Sequence, residues 1–320
     1  RIHRIDQLAE RCREQATMDF TFLYDSGRDL LSIGYNVGDR RLDPAYYDLL
    51  ASEARLVSFI LVAQDHLPQD HWFALGRQLT VQDGAMALVS WSGSMFEYLM
   101  PLLLMPTFEH TLLDETYRAV VDRQIEYGRQ RGVPWGISES CYNVTDAQGI
   151  YQYGPFGVPG LGFKRGRADD RWIAPYATAL ALMGAPRQAC ENLELLSAEG
   201  CCGTYGLYEA IDFTPARVPR GKTSVPLHSH MAHHQAMSLL AIDNLLWNRP
   251  MQRRFLSDDA LAQAVFHLNE LFDFAFEHAG DGNAGPLAHD AGNVFLVHLF
   301  FQHARRAAGS VLEGIELLQR

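Results

Sequence analysis

"DPAYYDLLASEARLVSFILVAQDHL", Asp43 to Leu67, reads as one long amphipathic helix. Asp43 supplies an N-cap, Pro44 takes the first helical position, and apolar residues then recur at helical spacing through Leu67. The same period returns over Ile5 to Thr17, Met95 to Leu104, Leu112 to Arg131, Arg171 to Met183, Pro186 to Ala198, His230 to Asn248, Asp258 to Glu277 and Asn293 to Leu318. Strand-like stretches are short, as in "LLSIGYNV" from Leu30 and "GTYGLYEAIDF" from Gly203. Long helices alternating with loops rich in Gly, Trp and Tyr predict an all-α fold. The expected form is a helical toroid with inner and outer rings, its loops gathered at one mouth and a few short strands within them. No tetratricopeptide or ankyrin period is present, which sets a solenoid aside.

The 320 residues and 48% hydrophobic content suffice for one large domain with a full core or for two smaller ones, and one compact domain is the preferred reading. With 38 acids against 27 bases the formal net charge is -11, which argues against a phosphate groove for nucleic acid and favours an uncharged substrate. Five irregularly spaced cysteines, two of them adjacent at Cys201 and Cys202, suit a reducing compartment better than a disulfide framework. The most apolar run, around "MFEYLMPLLLMPTF", is broken by Glu97 and two prolines, whereas crossing a bilayer takes about 20 apolar residues. The chain opens on "RIHRIDQLAERCREQ" without Met or a signal sequence, so it is expected to be an excised piece of something longer.

Aromatic-lined mouths of helical toroids suit sugars, because a pyranose offers its C–H face to Trp and Tyr and its hydroxyls to Asp, Glu, His and Arg. Glycoside chemistry asks for two carboxyl groups, about 5–5.5 Å apart for retention and about 6.5–9.5 Å for inversion. The acids set among aromatics are Asp48 and Glu53 in "YYDLLASEARL", Glu97 in "WSGSMFEYLM", Glu139 in "WGISESCY" and Glu209 in "YGLYEAIDF". Glu53 has the ordinary alternative of a helix acid paired with a basic neighbour. A carboxyl at Glu97 must be desolvated or paired. Glu139 lies between Ser138 and Ser140 in an irregular segment, where hydroxyls and backbone N–H groups can hold it ionised as a nucleophile; a turn-capping acid is its alternative. In "HSHMAHHQAM" the residues His230, His233 and His234 share a helix face, but no H-E-x-x-H accompanies them, so hydrogen bonding to sugar hydroxyls or a carboxylate is preferred to zinc. "FGVPGLGFKRG" fits neither phosphate-loop pattern and reads as a Gly/Pro-shaped rim. "AGDGNAG" near Asp281 lacks the acids of a calcium loop and reads as a turn.

Longer motifs carry more. "FLYDSGRDLLSIGYNVGDRRLDPAYYDLLASEARL", "HWFALGR", "LVSWSGSMFEYLMPLLLM", "RQIEYGRQRGVPWGISES", "YQYGPFGVPGLGFKRG", "APYATALAL", "YGLYEAIDFTPAR" and "MAHHQAMSLLAI" occur in one order between Leu8 and Phe255. Together they resemble the central glucoamylase-like domain of bacterial cyclic β-1,2-glucan synthases. The resemblance implies an (α/α)6 barrel, with residues 1–320 as one glycoside-hydrolase-like domain and 256–320 as atypical C-terminal helices. It further implies a retaining transglycosylation that closes linear β-1,2-glucan into rings, without cofactor or metal. Glu139 falls on the family's nucleophile position, in "GISES". Glu53, in "SEARL", falls on the acid/base that protonates the leaving oxygen directly or through a sugar hydroxyl. Tyr47, Asp48, Trp91, Glu97, Trp135, Tyr153, Phe156, Glu209, His233 and His234 are the expected substrate contacts. Glycosyltransferase and phosphorylase-like modules of the same polypeptide are the expected partners, on the cytoplasmic side of an inner membrane. The chain departs from the pattern at His228, His230 and Ala236, where Arg, Tyr and Gly are expected, which weakens the case for that helix touching substrate. β-1,2-Glucan hydrolysis and non-catalytic glucan binding remain the competing functions.

Overall fold

The computed structural model describes residues 2–16, 19–82, 84–109 and 111–265, with Ser52, Glu53 and Gln82 described through their backbone. The helices expected over Asn293 to Leu318 and over most of Asp258 to Glu277 therefore lie outside the described residues; 259–265 are helical. The helices are α1 (Ile2–Ala16), α2 (Ser52–Ala63), α3 (Asp70–Ala74), α4 (Met95–Leu99), α5 (Leu112–Arg131), α6 (Pro175–Leu180), α7 (Pro186–Ala198), α8 (Ala232–Leu246) and α9 (Pro250–Phe255). Strands are short and antiparallel, in two-stranded hairpins and one three-stranded sheet that orders Val225–Leu227, Ala210–Asp212 and Trp172–Ile173. None of the described helices is long and apolar enough to cross a membrane.

Local chemistry sets the boundaries. In α5 the Thr111 hydroxyl accepts from the Asp114 amide and Gly132 closes the helix at φ +65°, a left-handed position suited to glycine. The expectation for Asp43 to Leu67 is corrected at its front half. Asp43 accepts from the Ala45 amide in a local turn, Tyr46 pairs with Ser32 across a bridge, and the Tyr46 hydroxyl donates to Asp25. Helix α2 starts only at Ser52. The expected helix from Met95 likewise breaks after Leu99 into a 3-10 turn, Met100–Leu103, because Pro101 has no amide to continue it.

The core gathers on α6, whose six residues are all buried. Their small side chains at Ala177, Thr178 and Ala179 let α4, α7 and α8 approach closely. The fully buried Trp172 lies beside it, stacked on Tyr142 at 5.0 Å and against Phe156 at 4.2 Å. Phe59 of α2 joins Trp72 and Phe255 in a second cluster.

His71, fully buried in α3, joins α2 to the N-terminal loops: Nδ1 donates to the Asp29 carbonyl at 2.7 Å and Nε2 accepts from Ser58 at 2.9 Å. Burial holds its pKa below the ordinary 6.5, since a neutral ring suits both partners. A depressed folded pKa means that stability is fully present above pH 6.5 and is lost as pH falls from 6.5 to the lower folded value. Thermal denaturation is therefore expected to show Tm falling on acidification below pH 6.5, and His71→Gln to flatten that slope. An equally steep slope in the variant would assign it to other groups.

Candidate active site

Glu139 closes the irregular segment that begins at Val133, and that segment is held from two directions. From α5, the buried Gln124 donates to the Ile137 carbonyl at 2.7 Å and accepts from the Ile137 amide at 2.9 Å. From α7, the buried Asn192 accepts from the Trp135 amide at 3.1 Å and donates to the Trp135 carbonyl at 2.7 Å. Gly136 between them has φ +120°, and a Cβ there would sit 2.7 Å from the Thr178 hydroxyl, so both backbone and space require glycine. These amides fix a loop that has no ladder of its own.

The neighbours of Glu139 are fixed as well. Ser138 accepts from the Phe96 amide at 3.1 Å and donates to the Tyr176 hydroxyl at 2.7 Å, which in turn donates to the Glu139 carbonyl at 2.8 Å. On the other side Ser140 donates to Glu209 at 2.9 Å. The half-buried Glu139 side chain accepts from the Tyr153 hydroxyl at 2.6 Å. Burial, and then that bond to a carboxylate, raises the Tyr153 pKa well above its ordinary value, so the phenol stays a donor. The register explains the meeting: Cys141 opposes Tyr153 in the hairpin Ser140–Thr145 and Tyr151–Gly154, which puts residues 139 and 153 on one face.

Beneath lies a buried pair. Glu209, 1% exposed, accepts from Nδ1 of the fully buried His234 at 2.6 Å and from the Met231 amide at 3.3 Å. The His234 ring stacks on Tyr176 at 3.7 Å. This corrects the expectation that Glu209 and His234 present themselves to substrate: both are enclosed and brace the floor under Glu139. The exposed His233 is adjacent, its ring 4.0 Å from that of His234. His228 and His230 instead flank Tyr208.

Three further expectations change. Glu97 collects the hydroxyls of Ser90, Ser92 and Ser94 and the amides of Ser92 and Ser94 at 2.5–3.1 Å, completing a capping box at the start of α4. Its Oε2 takes five of these contacts and its Oε1 the Ser92 amide, so the carboxyl is turned chiefly to that loop. Trp135 at 7% and Phe156 at 3% exposure belong to the core rather than to an open face, because the loop bearing Trp135 is pulled onto α7 and Phe156 packs on Trp172. By contrast Tyr47, Trp91 and Tyr153 are exposed at 41%, 64% and 40%.

Glu53 lies in the first turn of α2 and is described by its backbone. Helix α4 packs against α2 and carries the Phe96 amide bound to Ser138, so one short helix touches both the segment bearing Glu53 and the loop bearing Glu139. Asp48 sits just ahead of α2 with its carboxyl on the Leu50 amide. Its pKa is raised, chiefly by burial and further by the nearby Glu97 charge. Sequence reasoning missed Gln124, Asn192 and Tyr176, which lie on helices whose polar residues give no pattern.

The glycoamylase family model, described as "Putative glucoamylase", matches residues 45–256. The cyclic β-(1,2)-glucan synthase NdvB of Rhizobium meliloti (strain 1021) is 47% identical over 264 residues, 82% of this chain but only 9% of that protein. An endo-β-1,2-glucanase from Chitinophaga pinensis, solved with sophorotriose and glucose, superposes with a TM-score of 0.55 at 15% identity, over 78% of this chain and 61% of that one. The Talaromyces funiculosus endo-β-1,2-glucanase with sophorose gives 0.52 at 13% identity, over 78% and 55%. At such identities these two likenesses speak for a shared fold.

Proposed function

This chain belongs to the glycoamylase family, and from that premise we propose that it performs retaining transglycosylation, closing linear β-1,2-glucan into cyclic β-1,2-glucan. The observation that carries the reading is the construction around Glu139, a half-buried carboxylate oriented by Tyr153 on a loop fixed by Gln124, Asn192 and Tyr176. In a chain 47% identical to a cyclic β-1,2-glucan synthase, that geometry suits a nucleophile.

Glu139 attacks the anomeric carbon of an internal glucosyl unit, forming a glycosyl ester as the C1–O bond breaks. Glu53 gives its proton to the departing oxygen, directly or through a sugar hydroxyl. The 2-hydroxyl at the far end of the same glucan then displaces Glu139 and returns a proton to Glu53. Rings form when that end reaches the intermediate before water does. Tyr47, Asp48, Trp91, Tyr153 and His233 line the path of the glucan in this reading. The helices form an (α/α)6 barrel with the loops at its mouth, and residues 1–320 act as one domain. The domain works beside the glycosyltransferase and phosphorylase-like modules of a longer polypeptide, on the cytoplasmic side of the inner membrane.

Incubation with linear β-1,2-glucan tests the proposal by mass spectrometry. Products lighter by one water than linear glucan of equal length are expected. Short linear oligosaccharides alone would make the chain a hydrolase, and unchanged glucan a binding module.

A further inference from the structure

The proposed reaction assigns no role to residues 155–168, yet this segment walls a cleft with a chemistry of its own. The cavity measures about 80 Å³. One water needs about 10–15 Å³, so the space suits a group of about five heavy atoms, the size of a tetrahedral oxyanion and smaller than a pyranose. Its wall is rigid. A Cβ on Gly157 or on Gly162 would run into the backbone of Ser92 and Gly93, so the two loops touch through their main chains. Glu97 in turn holds Ser92 through its hydroxyl and its amide.

The lining is basic. Lys164, Arg165 and Arg167 border the cleft and none of its described lining residues is acidic, in a chain whose 38 acids outnumber its 27 bases. Gly166 at φ +103° makes the left-handed turn between the two arginines. Arg167 shares the Asp170 carboxylate with Arg217, at 3.3 and 2.6 Å, and Arg165 donates through Nη1 to the Gly162 carbonyl at 3.2 Å. The other nitrogens of Arg165 and the Lys164 ammonium meet no acceptor among the described residues. Gly157, Val158 and Gly162 are buried, and their amides likewise donate to no acceptor among the described residues. Buried amides are as a rule paired with protein, water or a ligand. Unpaired amides in the wall of a cleft bordered by cations make a site for an anion. No helix opens directly behind this segment, so the three cations stand in for the helix N-terminus on which a phosphate loop relies.

We propose that this cleft binds an oxyanion of the phosphate class. The amides and the Arg165 guanidinium supply directed donors to its oxygens, and Lys164 supplies a compact charge. The cleft begins at Pro155, directly after the strand that carries Tyr153, so the phosphoryl group can arrive free from solution or as the substituent of a sugar. This site goes beyond the glucan reading and does not depend on it, since Lys164, Arg165 and these amides have no part in the transglycosylation.

Isothermal titration calorimetry at low ionic strength tests it with inorganic phosphate, glucose 6-phosphate and glucose as the uncharged control. The parent is compared with Lys164→Ala/Arg165→Ala, in which both replaced side chains are exposed and melting should be unchanged. Inorganic phosphate is expected to bind the parent and to bind the double variant at least tenfold more weakly. Turnover of neutral linear β-1,2-glucan should stay within twofold. Glucose 6-phosphate binding tenfold or more tighter than phosphate would make a phosphorylated sugar the ligand, and equal affinities would make it free phosphate. No binding of either anion, equal affinity in parent and variant, or glucose binding as tightly as glucose 6-phosphate each overturns the site. A parent inactive on β-1,2-glucan whose phosphate binding is still lost in the variant would overturn the glucan reading and leave the cleft standing.

Discussion

Glu139→Gln is expected to lower turnover of β-1,2-glucan by roughly a thousandfold or more while leaving its binding within a few-fold, the split that marks loss of a group acting in the transition state. The amide retains an oxygen for the Tyr153 hydroxyl, now 2.6 Å from the carboxylate, and the half-buried position leaves the fold undisturbed. Melting temperature is expected to match the parent, so lost activity would not reflect lost protein. Removing the side chain altogether distinguishes the two carboxylates. With an activated β-glucosyl fluoride and azide, Glu139→Ala should give an α-glycosyl azide, because azide enters the face that the nucleophile occupied. Glu53→Ala should give the β-azide, formed by attack on an intact glycosyl ester. A Glu139→Gln enzyme with a tenth or more of parental turnover would remove Glu139 from the chemistry.

The sequence was most legible where a boundary depends on nearby residues. Thr111 and Gly132 delimit α5, and Pro186 opens α7, at the positions that the spacing predicts. It misled where a tertiary partner claimed a local signal. Asp43-Pro44 has the chemistry of a helix start, but Tyr46 bridges to Ser32 and bonds Asp25, and those contacts outweigh propensity until Ser52. The hairpin of Leu79–Gln82 with Ala85–Leu88 had its signal in Asp83-Gly84, read past because its strands carry no clean alternation. Within the site, Glu139 stood out because an acid among serines and aromatics in an irregular segment is informative by composition alone. The functions of Glu97, Glu209 and His234 were not legible, since burial and partner choice are properties of the assembled fold. A Glu in "SMFEYL" reads equally as a ligand for sugar or for three serines.

Loss of the Glu209 carboxylate should have the largest effect on stability. Glu209→Leu leaves His234 Nδ1 and the Met231 amide without their acceptor and the Ser140 hydroxyl with only the Glu209 carbonyl at 3.4 Å, all in a region where Glu209 and His234 are 1% and 0% exposed. Removing one member of such a buried hydrogen-bonded pair costs about 3–5 kcal/mol, because the donors left behind keep their desolvation penalty. Urea unfolding should show a lower midpoint at unchanged slope. Glu209→Gln, which still offers an oxygen, should lose less. The double variant Glu209→Leu with His234→Phe is the decisive arm: it removes donor and acceptor together and keeps a ring against Tyr176, so it should regain much of the stability lost by the single variant. It should not regain turnover, because Ser140, next to Glu139, would keep only its longer bond to the backbone carbonyl of residue 209 and lose the closer carboxylate. A Glu209→Leu chain as stable as the parent would mean that this floor does not hold the loop, and the position of Glu139 would then rest on Gln124, Asn192 and Tyr176 alone.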